Sequence, residues 1–213
     1  SKTLELKLRR ERMGQYFIDG GAFMWPILFS LLFGLAFAFE RAYSLVQSSI
    51  DSKKLYEDVS ASMNSGKVQD AVDLCSETRG PVAGVFHAAL SRYDRGIEEV
   101  EKAMENAGSL EMAFLEKNMI WLNTVITVAP MIGFTGTVVG MIGAFDAIKA
   151  ANDISPAVVA GGISQALLTT AFGLIVAMII QFFQNFFVSR IDQLILDMEE
   201  NSVRLLDSMH AKK

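Results

Sequence analysis

Three long stretches of this chain carry no Lys, Arg, Asp or Glu: Ala22–Phe39, Asn118–Phe145 and Ile154–Ser189, which are 18, 28 and 36 residues long. A helix in a water-soluble core seldom stays uncharged for so long, because one of its faces usually meets solvent. A bilayer core is crossed by about 20 apolar residues in helical form. The first stretch is short, but Tyr16–Ile18 and Ala42–Val46 can extend it at either end. Basic residues precede it, as they would in a signal peptide, yet no clear small-residue cleavage site follows. It is therefore expected to be a retained membrane helix. Mean hydropathy of +0.32 and a hydrophobic fraction of 51% agree with a polytopic membrane chain.

The polar segments fill in the expected organisation. Residues 1–19 hold five Lys/Arg against three Asp/Glu and are expected to form an amphipathic segment at the membrane surface, ended by Gly20 and Gly21. Residues 20–46 form the first span, with Trp25 and Pro26 near its start. Residues 47–117 are expected to be a cytoplasmic helical domain. Leu55, Val59 and Met63 recur four apart, and Thr78-Arg79-Gly80-Pro81 reads as a break. A last run, from Ile97 through Met104, Leu110 and Phe114, is expected to lead directly into the second span, 118–148. Residues 149–156 make a short periplasmic turn, so the second and third spans are antiparallel neighbours. Residues 157–189 hold the third span and an extension, since Ile154–Ser189 as helix would run roughly 54 Å. Residues 190–213 form a cytoplasmic tail. The expected fold class is all-α, with three membrane helices extending into a helical domain and no sheet.

Several function classes are excluded or disfavoured. A single cysteine, Cys75, rules out an intrachain disulfide and a cysteine metal cluster, and His87 and His210 lie far apart. No basic patch or recognition motif supports nucleic-acid binding. The Gly133, Gly136, Gly140 spacing is neither a dinucleotide fingerprint nor a Walker sequence. No enzyme chemistry and no cofactor are expected.

The chemistry-bearing residues lie in the second and third spans. Gly136 and Gly140, extended by Ala144, form one stripe of small residues, and Gly162, Ala166 and Thr170 form another; Gly133 and Gly173 add to them. Such spacing lets helix backbones approach closely. Pro130 removes one helix hydrogen bond and is expected to kink or soften the second span. Thr137 and Thr170, with Thr169 and Gln165, are candidates for lining an ion path, because a hydroxyl or amide donates and accepts without a permanent charge. Gln165 shares a helical face with Thr169 and faces either a central axis or a subunit contact. No carboxylate lies at membrane depth, so a second polypeptide would have to supply one to any ion path. Charge alone leaves the orientation open: Arg41, Lys53, Lys54, Lys117 and Arg190 favour a cytoplasmic central domain, whereas the basic N-terminus argues the other way.

The run Pro130-Met-Ile-Gly-Phe-Thr-Gly-Thr-Val-Val-Gly-Met-Ile-Gly-Ala-Phe145 resembles the second-span motif of the ExbB/TolQ/MotA family of ion-driven motor subunits. Gly161-Gly-Ile-Ser-Gln-Ala-Leu-Leu-Thr-Thr-Ala-Phe-Gly-Leu174 is similar to its third-span motif. The likeness is strong over Val125–Arg190, looser over Phe17–Lys117, and closer to ExbB and TolQ than to MotA. It implies that Thr137 and Thr170 match the family's pore-facing threonines. It further implies a homopentamer around two single-span ExbD- or TolR-like subunits that bring a membrane aspartate. The implied process is proton flow, with sodium as the alternative, coupled to work on a TonB- or TolA-like envelope protein. The implied location is the bacterial inner membrane, N-terminus periplasmic, large loop and C-terminus cytoplasmic. Two departures stand out: Gln165 replaces the motif's glutamate, and Gly161 replaces its proline. A glutamine cannot take up and release a proton near neutral pH.

Overall fold

The computed structural model describes residues 12–152 and 154–210. The first eleven residues of the expected amphipathic segment lie outside the described residues; residues 12–19 are helical and end at a turn on Gly20. Seven helices follow: α1 (Met24–Ser48), α2 (Ser52–Asn64), α3 (Val68–Glu77), α4 (Pro81–Leu90), α5 (Ile97–Glu116), α6 (Met119–Ala151) and α7 (Pro156–His210). A short 3₁₀ turn, Tyr93–Arg95, separates α4 from α5. The described residues are 89% helical and contain no strand. Three of its helical stretches are long and apolar enough to cross a membrane.

Two compact units emerge. The first contains the described residues up to Phe39 together with Ile120–Gln184; the second contains Glu40–Met119 and the residues from Asn185 onward. In the first unit, the buried residues of α6 are Leu122, Val125, Ala129, Gly133, Gly136, Gly140 and Ala144, three or four apart, so they make one stripe. The facing stripe of α7 runs through Ala166, Thr169, Gly173, Val176 and Ile180. Helix α1 joins them at Gly34, where an added Cβ would lie 2.8 Å from Ile180 Cδ1 and 3.2 Å from Val125 Cγ1. Phe33 and Phe37 meet the Trp121 ring at centroid distances of 6.0 Å each. Pro130 sits inside α6 without interrupting it.

The second unit is a small helical domain around Phe86, which is fully buried. Leu55, Val59 and Met63 of α2, Ala71 and Cys75 of α3, and Val100 and Met104 of α5 pack into this core. Met198, Leu205 and Met209 of α7 complete it. Asp51 caps α2 by accepting the Lys54 N–H at 3.1 Å, and Pro81 at the first position of α4 needs no donor there. Burial pushes the Cys75 thiol up to about 11, so it stays protonated and inert at neutral pH.

The join between α5 and α6 differs from the expected uninterrupted run. The helix ends at Glu116, and Asn118 takes a left-handed conformation with φ of 66° before α6 begins. Asparagine tolerates this region better than most side chains. The break is tied to α1 by a polar cluster that periodicity does not reveal. Arg41 is 1% exposed; it donates to both carboxylate oxygens of Glu40, at 2.7 and 2.5 Å, and to the Leu115 carbonyl at 3.4 Å. Asn118 Nδ2 donates to the same carboxylate at 3.3 Å. Methionine at position 41 would keep most of the packing volume and lose all three guanidinium donors. Arg41→Met is therefore expected to lower stability by about 2 kcal/mol, the scale of a hydrogen-bonded charged group. Thermal unfolding in detergent, followed by helical circular dichroism, measures this; an unchanged midpoint would make the cluster energetically idle.

Candidate functional site

The close approach of α6 and α7 creates the site. A Cβ added to Gly140 would lie 2.8 Å from the Gly162 carbonyl oxygen, and one added to Gly162 would lie 2.6 Å from that of Gly140. Gly133 faces the Thr169 carbonyl at 2.7 Å in the same sense, Gly173 faces that of Ala129 at 2.6 Å, and Gly136 faces the Thr169 hydroxyl at 2.6 Å. Gly140 also abuts the backbone of Ala166. The expected packing residues Gly133, Gly136, Gly140, Gly162, Ala166 and Gly173 thus all lie along one helix contact. Gly143 and Gly161 have open space instead.

Two hydroxyls meet across this contact. Thr137 Oγ1 of α6 and Thr170 Oγ1 of α7 form a short hydrogen bond in which either can donate. Thr137 also reaches the Ala166 carbonyl across the helix pair at 3.0 Å and its own helix's Gly133 carbonyl at 3.4 Å. Thr170 reaches the Gly133 carbonyl at 3.4 Å. Each hydroxyl has one proton and two lone pairs. Two arrangements follow. In one, Thr170 donates to Thr137, which donates to Ala166; in the other, Thr137 donates to Thr170, which donates to Gly133. The pair is a reversible two-hydroxyl chain ending on a carbonyl either way. Both threonines are half-buried.

The other hydroxyls behave differently. Thr124, Thr127 and Thr135 are exposed and bond back to the carbonyl four residues earlier. Thr169 is fully buried and bonds the Gln165 and Ala166 carbonyls of its own helix, at 3.1 and 3.0 Å. Gln165 is half-buried, and its amide lies over the turn that precedes α1: a Cβ on Gly21 would come within 2.6 Å of Gln165 Nε2. Gly21 has φ of +72°, so glycine is required there on backbone grounds as well. Gly21 as a seat for Gln165, and the Gly133 and Ala166 carbonyls as acceptors, are not legible in the sequence. The only signal was the presence of small residues opposite each threonine.

A model of the MotA/TolQ/ExbB proton channel family matches residues 77–200, more than half of the chain and all of the hydroxyl site. The chain belongs to the MotA/TolQ/ExbB proton channel family. An ExbB homolog of Methanothermobacter thermautotrophicus is 33% identical over 179 residues, covering 84% of this chain and 63% of that protein's length. An ExbB-like protein of Synechocystis is 31% identical over 172 residues, or 80% of this chain and 82% of the relative. Tol-Pal system protein TolQ of Haemophilus influenzae is 41% identical over 81 residues, or 38% and 36%. Family membership and three long apolar helices make this a multi-pass membrane protein.

Proposed function

We propose that this chain is the ring-forming subunit of an ion-driven motor in the inner membrane, coupling proton flow to mechanical work on an envelope protein. The observation that carries the reading is the Thr137–Thr170 hydroxyl chain between two uncharged spans of a proton channel family member. A hydroxyl whose proton is committed to a carbonyl still offers a lone pair to a protonated carboxyl or a hydronium ion. That carboxyl comes from a single-span ExbD- or TolR-like partner, two copies within a homopentamer, because this chain has none at membrane depth. The N-terminus is periplasmic, and the central domain and C-terminal tail are cytoplasmic. Pro130 softens α6 beside the close helix contact. The driving energy is about 2.3 kcal/mol per charge for each 100 mV, plus the concentration term. Sodium in place of the proton is the alternative ion. The ExbB-type names of the relatives favour TonB-linked outer-membrane import as the process energised; the TolQ match keeps Tol-type envelope maintenance as its rival.

The test is reconstitution. Vesicles holding the chain together with an ExbD- or TolR-like single-span protein should take up protons under a potassium diffusion potential, and vesicles holding the chain alone should not. Solute exchange by the chain alone would replace the motor reading with a transporter. Sodium-dependent uptake with no proton movement would change the ion.

A further inference from the structure

A hollow of about 300 Å³ lies in the second unit, walled by the end of α1, the α3–α4 loop and α5. Ser44, Gln47 and Ser48 come from α1, Arg79 from the loop, and Glu111 and Phe114 from α5. Two opposite charges share it without meeting. The Arg79 guanidinium donates to the neutral Gln47 amide oxygen at 2.9 Å, and Glu111 forms no ion pair among the described residues. Glycines shape both sides. The Glu111 carboxylate lies directly over Gly84 of α4, where any Cβ would collide with it. Gly80, at φ of +118°, brings the loop so close to α1 that a Cβ there would sit 2.9 Å from the Ser48 carbonyl oxygen.

The rim is apolar. Phe114 is half exposed, and Leu110, one turn earlier on α5, is exposed with it; Tyr43, one turn before Gln47 on α1, is exposed too. Ser44 lies five residues beyond the uncharged stretch ending at Phe39, and Phe114 lies four residues before the one starting at Asn118. At 1.5 Å per residue, Ser44 lies about 8 Å along α1 from the end of its uncharged stretch, the depth of lipid headgroups, and α5, which carries Phe114, ends at Glu116, two residues before the next stretch begins.

We propose that this hollow binds the headgroup of a zwitterionic aminophospholipid, with its primary ammonium on Glu111, its phosphate on Arg79, and its acyl chains along Tyr43, Leu110 and Phe114. A purely anionic headgroup would leave Glu111 facing a phosphate. A quaternary ammonium cannot donate a hydrogen bond to the carboxylate. A soluble ligand would have no use for the exposed aromatic rim.

Full-length protein, exchanged into vesicles of phosphatidylcholine mixed with either phosphatidylethanolamine or phosphatidylglycerol and then repurified, should retain phosphatidylethanolamine about tenfold over the other two by mass spectrometry, a difference of about 1.4 kcal/mol. Glu111→Gln should erase the preference for ethanolamine over choline, and Arg79→Gln should weaken retention of all three lipids. Circular dichroism melting confirms that each variant is folded. Equal retention of the three lipids by the wild-type protein overturns the proposal, and so does an unaltered preference in folded Glu111→Gln. Complete displacement of the lipid by free phosphoethanolamine would overturn the lipid assignment in favour of a soluble ligand.

Discussion

Replacing Thr137 and Thr170 together by valine is expected to lower gradient-driven proton uptake at least about tenfold, the equivalent of 1.4 kcal/mol or more, while the complex with the single-span partner still assembles. Valine keeps the branched shape and removes the donor and acceptor, so polarity is separated from volume. Stability should change little. The Gly133 and Ala166 carbonyls lie within α6 and α7, where the helix ladder occupies one lone pair of each, so no orphaned acceptor is left behind. Each single variant breaks the hydroxyl chain and should show most of the loss. Thr169→Val is the control: its hydroxyl bonds only carbonyls of its own helix and belongs to no chain across the contact. Uptake by reconstituted vesicles, beside native mass measurement of the complex, reads both quantities. Full activity of the double variant would return both threonines to a packing role.

The second large effect is structural. Gly140→Val places its Cβ 2.8 Å from the Gly162 carbonyl oxygen and 2.9 Å from the Ala166 nitrogen. These are backbone atoms of a continuous helix and cannot swing aside, so α6 and α7 must separate. Overpacking of this kind costs about 1–3 kcal/mol and sometimes more; the upper end is expected here because the whole stripe opens with it. The Thr137–Thr170 bond is lost at the same time, so assembly and transport should fail together, unlike in the valine variants above. Gly143→Ala, into open space on the same helix, should keep the pairing and hold or raise the thermal midpoint, since alanine favours helix over glycine. Thermal unfolding together with size-exclusion chromatography of the complex checks both variants. An unchanged midpoint for Gly140→Val would show that the helix contact is looser than its geometry.

The path of the chain was largely legible in its residues. Uncharged length marks the spans, and the short connection between them, expected at 149–156 and only 152–155 in the structure, makes α6 and α7 neighbours. The 3.6-residue recurrence of Leu55, Val59 and Met63 marks a face that is buried. The small-residue stripes of Gly136, Gly140, Gly162 and Ala166 pointed to a close contact because only small residues let backbones touch. Less legible was the joint between α5 and α6. Leu110 and Phe114 continue a helical pattern up to Glu116, and nothing local announces that Asn118 will turn left-handed. Its side chain donates to Glu40, 78 positions away.

Residues read one stretch at a time give the helical segments, the number that can cross a membrane, and the absence of any carboxylate from Ala22–Phe39, Asn118–Phe145 and Ile154–Ser189. These follow from local properties: side-chain hydropathy, charge and period. Packing between helices sets which groups meet. It is the rotation and spacing of α6 against α7 that pairs Thr137 with Thr170 and the Ala166 carbonyl, while Thr135, two residues away, bonds only its own helix. The same geometry lays Gln165 over Gly21 instead of leaving its direction open. A helical period places a residue on a face to within one turn. Which atom lies within 3 Å of it depends on the sum of many contacts between helices, and no single stretch of sequence contains that sum.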